Sequence, residues 1–195
     1  MSDRFSNVVA SLKREDIIPD VVPPSFAPSV LFSIVWPNGK EPVLGNYLTR
    51  EDTLEEPDIN LVVPDVPKAA QEATYTLVLT DPDAPSRSGP KYRQFRHWVI
   101  TGLKVASEGP SVVKTKPSTT PYRAPGPGAG SGVHRYAFLL FEEPSSGFAV
   151  PEGAAEYGAA LEERRSWNAV DFGTKYGLKL VGANFFLVQA APAAE

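Results

Sequence analysis

The stretch from Thr74 to Arg87, TYTLVLTDPDAPSR, decides the fold. Its first seven residues are threonine, tyrosine, leucine and valine, the composition of a strand rather than a helix. Asp81, Pro82 and Pro85 stop that strand abruptly, because proline has no N–H to give to a ladder. A rigid turn carrying Asp81 and Asp83 must follow. One X–Pro bond in it is expected to be cis, Ala84–Pro85 before Asp81–Pro82. Working outward, Arg93–Leu103, with Trp98, Val99 and Ile100, reads as a second strand. Val133–Phe141 (VHRYAFLLF) reads as a third and Leu178–Val188 as a fourth. Between the second and third lies PYRAPGPGAGSG (121–132), whose composition predicts a loop held at both ends.

The flanks are consistent with a mostly β protein. Phe5, Val8, Val9 and Leu12 recur at helical spacing and predict a short amphipathic helix over 5–14. Pro19, Pro23, Pro24 and Pro28 predict an extended connection over 19–29. Val30–Trp36 is a strand closed by the turn Pro37-Asn38-Gly39, and DINLVV (58–63) is a further strand. Residues 64–72 and 104–120 read as irregular. The Ala- and Glu-rich 152–165 is expected to be helical, although Gly153 and Gly158 oppose it. Asn168–Tyr176 is a clearer helix, with Asn168 as N-cap, Asp171 in its first turn and Gly177 as C-cap. No linker separates two cores, so residues 1–195 are expected to form one domain, with 1–19 an N-terminal helical segment and 189–195 a flexible tail.

Composition then excludes several function classes. The 195 residues include 20 prolines and 15 glycines, and 42% are hydrophobic, enough for a sizeable core with many turns. Nineteen basic residues against 23 acidic ones give a net charge of −4, the wrong sign for a nucleic-acid binder. The same charge gives no general attraction to anionic bilayers, and no apolar run approaches the ~20 residues that span one. With no cysteine there is no disulfide, thiolate metal site or cysteine nucleophile. The start, MSDRFSNVVASLKRED, has charges where a signal peptide needs an apolar stretch, so a cytoplasmic protein without stable membrane insertion is expected.

The candidate chemistry sits at strand ends. The two histidines, His97 and His134, both follow proline- or glycine-rich loops, and Asp81 and Asp83 follow a strand. Satisfied sheet histidines and ordinary turn aspartates would account for all four. Two Asp and two His also match a zinc or iron ligand count, but no H-x-x-x-H pair occurs and Pro82 restricts convergence. A hydrolase would need a nucleophile. No Gly-x-Ser-x-Gly elbow is present, and Ser131 precedes a strand rather than a helix. Gly126-x-Gly128-x-Gly130 fails as a dinucleotide loop because no helix follows. A pocket for a small anion or zwitterion fits better. Glycine-rich turns and imidazoles can hold phosphate, while carboxylates orient the histidines or receive an ammonium group. With both histidines in such a pocket, phosphate binding should strengthen as pH falls through ~6.5.

The same residues carry a resemblance. TYTLVLTDPDAPSR, then Arg96-His97-Trp98, then Gly126-Pro127 through Gly132-Val133-His134-Arg135-Tyr136 into AFLLF, resemble the phosphatidylethanolamine-binding protein family. That family includes the Raf kinase inhibitor proteins and plant flowering regulators. The likeness spans residues 20–190. GNYLT (45–49), the Trp167 segment and VGANFF (181–186) resemble its carboxypeptidase Y inhibitor-like branch. The resemblance implies a central antiparallel β-sheet, a second small sheet and short peripheral helices. It maps an anion pocket onto Asp81, Asp83, Pro85, His97, Gly126, His134 and Tyr136, with Tyr92, Phe95, Tyr122 and Pro127 at the rim. It further implies a non-enzymatic protein without cofactor or metal that binds phosphate or a phosphoethanolamine-type headgroup and regulates a serine carboxypeptidase or a kinase pathway. The alternative from another class is a hydrolase or metal-dependent enzyme using the same aspartates and histidines.

Overall fold

The computed structural model describes residues 2–62, 73–107 and 109–193. Two sheets are stacked. The smaller pairs β1 (Leu31–Val35) with β2 (Asp58–Val62), antiparallel. The larger runs β5–β4–β3–β6–β7 and is antiparallel throughout, from β3 (Thr74–Asp81), β4 (Phe95–Val105), β5 (Val112–Lys114), β6 (Val133–Glu142) and β7 (Lys179–Gln189). The expected strand at TYTLVLT is thus the centre of the sheet, flanked by the two strands that carry the histidines. The expected loop at 64–72 lies outside the described residues.

Both faces of the large sheet are covered, which explains its continuous apolar runs. Side chains alternate between faces along a strand. Leu77, Leu79, Tyr136, Phe138, Leu140, Phe186 and Val188 point toward the small sheet and meet Phe32, Ile34, Trp36 and Leu61. Val78, Ala137, Leu139, Phe141, Phe185 and Leu187 point the other way. There they meet Val8 and Leu12 of α1 (Ser2–Arg14), Ile17 and Ile18 of α2 (Ile17–Asp20) and Phe172 of α3 (Ala169–Lys175). Val8 and Leu12 are buried and Phe5 and Val9 half-buried, the face that the spacing predicted for α1. α3 starts on Asn168, whose side chain accepts hydrogen bonds from the N–H groups of Val170 and Asp171, and Gly177 beyond its end has φ +66°.

Three regions differ from the sequence reading. Residues 17–20, whose last two begin the expected extended connection of 19–29, form a short helical turn, interrupted at Ile18 (φ −101°, ψ 121°), because Ile17 and Ile18 are buried under the sheet. The irregular 104–120 contains β5, which pairs with the end of β4. Residues 152–165 form two 3₁₀ turns, Ala155–Tyr157 and Glu162–Arg164, instead of a helix. The buried Arg96 guanidinium takes the carbonyls of Ala155, Gly158 and Glu163 at 2.7, 3.1 and 3.1 Å, acceptors that a continuous helix would keep for itself.

Candidate functional site

A cavity of about 310 Å³ opens at the end of the large sheet where β3 stops. Its floor is built from three adjacent strands. Asp81 ends β3, opposite Phe95 of β4, just past a register shift between Leu79 and Thr80. The turn after it closes on itself, the Asp83 N–H donating to Asp81 Oδ1 at 2.7 Å, and the Ala84–Pro85 bond is cis as expected. The Ile18–Pro19 and Arg93–Gln94 bonds are also cis. Asp81 Oδ2 lies 2.8 Å from Nδ1 of His134 on β6, so the carboxylate sets the orientation of that ring. Both side chains are almost fully enclosed.

His97, on β4, is held differently. Its Nδ1 lies 2.8 Å from the Arg123 carbonyl, and the Arg123 N–H donates to the His97 carbonyl at 3.0 Å. With Nδ1 as the donor, the neutral ring leaves Nε2 as an acceptor. Burial pulls His97 down to about 4, against the opposing influence of Asp81 and of the Arg123 carbonyl. At neutral pH it is therefore uncharged. For His97, burial thus opposes the expected strengthening of phosphate binding as pH falls through ~6.5. The Tyr136 hydroxyl is pushed well above its usual value by burial and then by the Asp81 charge. Behind His97, Arg164 donates to the carbonyls of Arg96, His97 and Pro121. Burial and the charges of Arg123 and Arg96 lower it to about 10, so it stays cationic at neutral pH.

Nine of the eleven residues anticipated for the pocket line it: Asp81, Pro85, Tyr92, Phe95, His97, Gly126, Pro127, His134 and Tyr136. Asp83 and Tyr122 do not. Asp83 is 1% exposed and faces Arg135, accepting from its Nε and backbone N–H at 2.9 Å and from Nη2 at 2.6 Å. Arg135 also grips the N-terminal segment through Asp20 and the carbonyls of Glu15 and Asp16. The Tyr122 hydroxyl donates to the Thr53 carbonyl and accepts from Trp36 Nε1, which turns its ring into the layer between the sheets. The sequence reading missed three arginines on the wall, Arg50, Arg123 and Arg165. Arg123 was within reach, since it lies in the PYRAPGPG loop whose Tyr122, Gly126 and Pro127 the resemblance mapped to the pocket. Arg50 and Arg165 are brought there by tertiary packing.

Two other constellations were open at the sequence level. Among the described residues no group of three or more His, Asp or Glu side chains converges as a metal site, and Asp83 is turned away to Arg135. An Asp–His–Ser line does form: Ser131 Oγ lies 3.0 Å from His134 Nε2, on the far side of the ring from Asp81. Ser131 donates its hydroxyl proton to the Gly128 carbonyl at 2.6 Å and is not part of the cavity wall.

Comparison with known proteins gives three concordant results. Residues 38–175 match the family model for phosphatidylethanolamine-binding proteins. The carboxypeptidase Y inhibitor of Saccharomyces cerevisiae is 30% identical over 212 residues, covering 93% of this chain and 94% of the relative. A second protein of that yeast is 33% identical over 198 residues, 94% of each chain. Among solved structures, carboxypeptidase Y inhibitor in complex with its cognate proteinase superposes with a TM-score of 0.79 at 27% identity, covering 95% of this chain and 96% of the other. A phosphatidylethanolamine-binding protein from Plasmodium vivax gives 0.75 at 27% identity, covering 93% and 97%.

Proposed function

This chain belongs to the phosphatidylethanolamine-binding protein family, and from that premise we propose that it is a non-enzymatic binding protein whose cavity takes phosphate esters, phospholipid headgroups among them, and that it regulates a serine carboxypeptidase in the cytoplasm. One observation carries the binding half: a buried Asp81–His134 pair on the floor of a cavity whose wall bears Arg50, Arg123 and Arg165. Arginine suits phosphate because its guanidinium offers several donors in a fixed plane. The partner half is supported by similarity over nearly the whole chain to an inhibitor seen with its proteinase. A kinase-pathway output rests on the family resemblance alone. Among the described residues no helix is long and apolar enough to cross a membrane.

The test is phosphate titration of the wild type and Asp81→Ala, followed by amide NMR shifts. Removing Asp81 frees the His134 ring and should cost about 1–3 kcal/mol of binding, a loss of roughly ten- to a hundredfold, with the fold intact. Equal affinities would remove the Asp81–His134 pair from the binding site, and an unfolded variant would make Asp81 a turn residue only. Incubation with carboxypeptidase Y under a peptidase assay tests the partner, and undiminished activity at saturating protein would refute it.

A second reading, ester hydrolysis, is favoured by the Asp81–His134–Ser131 line. Against it, the serine proton is committed to Gly128 and the hydroxyl stands outside the cavity. Turnover of p-nitrophenyl esters that disappears in Ser131→Ala would replace the binding reading.

A further inference from the structure

A zwitterionic headgroup needs two receptors, one for phosphate and one for ammonium. Ammonium groups are received by carboxylates or by the open faces of aromatic rings. In this cavity both kinds of receptor already have partners from the protein itself.

The carboxylates come first. Asp81 is the one acid on the wall among the described residues, and each of its oxygens already accepts a hydrogen bond from the protein, from the Asp83 N–H and from His134. Asp83 is sealed against Arg135. Glu162 stands outside the wall, with 72% of its side chain exposed, and neighbours Arg165 at 3.7 Å.

The aromatic rings follow. Tyr92 is covered by the protein's own cations, the Arg165 guanidinium 4.1 Å and the Lys91 ammonium 4.8 Å from its centroid. Tyr136 is stacked against Phe186, with centroids 5.3 Å apart, and lies nearly perpendicular to the His97 ring at 5.2 Å. Phe95 packs on His97 at 4.8 Å. Meanwhile Arg50 and Arg123 form no ion pair among the described residues. The mouth thus repels an ammonium group while attracting an anion.

From this we infer that the cavity selects a phosphomonoester carrying no ammonium group over phosphoethanolamine. The inference rests on the anion-binding reading above and specifies its ligand class. The same chemistry occurs in a soluble ester and in a phosphatidic acid headgroup.

The experiment compares inorganic phosphate, glycerol 3-phosphate and phosphoethanolamine by calorimetric titration at about pH 8, where each phosphate is mainly a dianion. Glycerol 3-phosphate should bind about fivefold or more tightly than phosphoethanolamine, the scale of one exposed charge contact. That gap should shrink as salt rises from about 0.02 M to about 0.3 M. Arg165→Ala, which removes the nearer of the two cations over Tyr92, should close it further. Phosphatidylcholine vesicles doped with phosphatidic acid, against vesicles doped with phosphatidylethanolamine, locate the source. Selective capture that soluble ester displaces supports a headgroup, and no capture with tight soluble binding supports a free ester. Equal or tighter binding of phosphoethanolamine overturns this inference and leaves the anion site standing. Absence of binding by all three small ligands overturns both.

Discussion

Replacing His97 by glutamine should make the protein less sensitive to acid. In the folded chain His97 is 5% exposed and burial brings it to about 4, whereas unfolded it titrates near its ordinary 6.5. Above pH 6.5 the ring is neutral in both states and contributes no pH dependence. Between 6.5 and 4 the unfolded chain takes up a proton that the folded chain refuses, so stability falls as pH falls. Below about 4 both states are protonated and the loss is complete. At about 1.4 kcal/mol per pH unit, the gap from 6.5 to 4 amounts to about 3 kcal/mol. Glutamine retains a donor for the Arg123 carbonyl and has no proton to gain. The carboxylates of Asp20 and Asp52, both held below their usual range, also lose stability in acid, but equally in the two proteins. Urea unfolding followed by tryptophan fluorescence, at steps from about pH 7.5 to 4, measures the difference directly. The wild type should lose about 3 kcal/mol relative to the variant, equivalent to roughly 6–12 °C in melting temperature for a domain of this size. Parallel curves through the whole window would refute the reasoning, for they would mean that the folded ring meets water and titrates normally. In that case an imidazolium at His97 could again assist phosphate near pH 6.5.

The two aspartates should separate in their effects. Asp83→Asn leaves the buried Arg135 with only Asp20 as a charged partner and should cost about 3 kcal/mol of stability. Phosphate affinity of the folded variant should be unchanged, and a binding loss like that of Asp81→Ala would return Asp83 to the pocket. Gly182→Ala would place a Cβ 2.7 Å from the Val30 carbonyl and 3.1 Å from the Phe32 ring, where the segment entering β1 packs against β7. Overpacking there should lower stability by about 1–3 kcal/mol in thermal unfolding, and an unchanged melting temperature would show that this contact is loose.

Much of the fold was legible in short sequence patterns. TYTLVLT, VHRYAFLLF and the helix capped by Asn168 each carry local signals that agree with their final setting, so local and global preferences point the same way. The segment 152–165 failed because its composition favours helix locally while a buried cation from β4 claims its carbonyls. No window around 152–165 contains Arg96. The 3₁₀ turns there follow from that contact.

At the site the division is finer. The sequence by itself determined that Asp81, His97 and His134 lie at strand ends, because proline and glycine stop the strands beside them, and the sheet order β4–β3–β6 made those ends neighbours. It also held, unread, the alternation of His134, Arg135 and Tyr136, which sends the first and third to the cavity and Arg135 to the opposite face. Only the tertiary structure decided which aspartate joins which side. Asp81 and Asp83 are chemically identical and two positions apart on one turn, so what distinguishes them is the neighbour each one meets. Asp81 meets an imidazole across the strand and Asp83 meets a guanidinium that also grips the N-terminal segment. Tertiary packing likewise brought Arg50 and Arg165 to the mouth from segments far apart in the chain. The field in the cavity is a sum over charges near in space, and separation along the chain does not enter it.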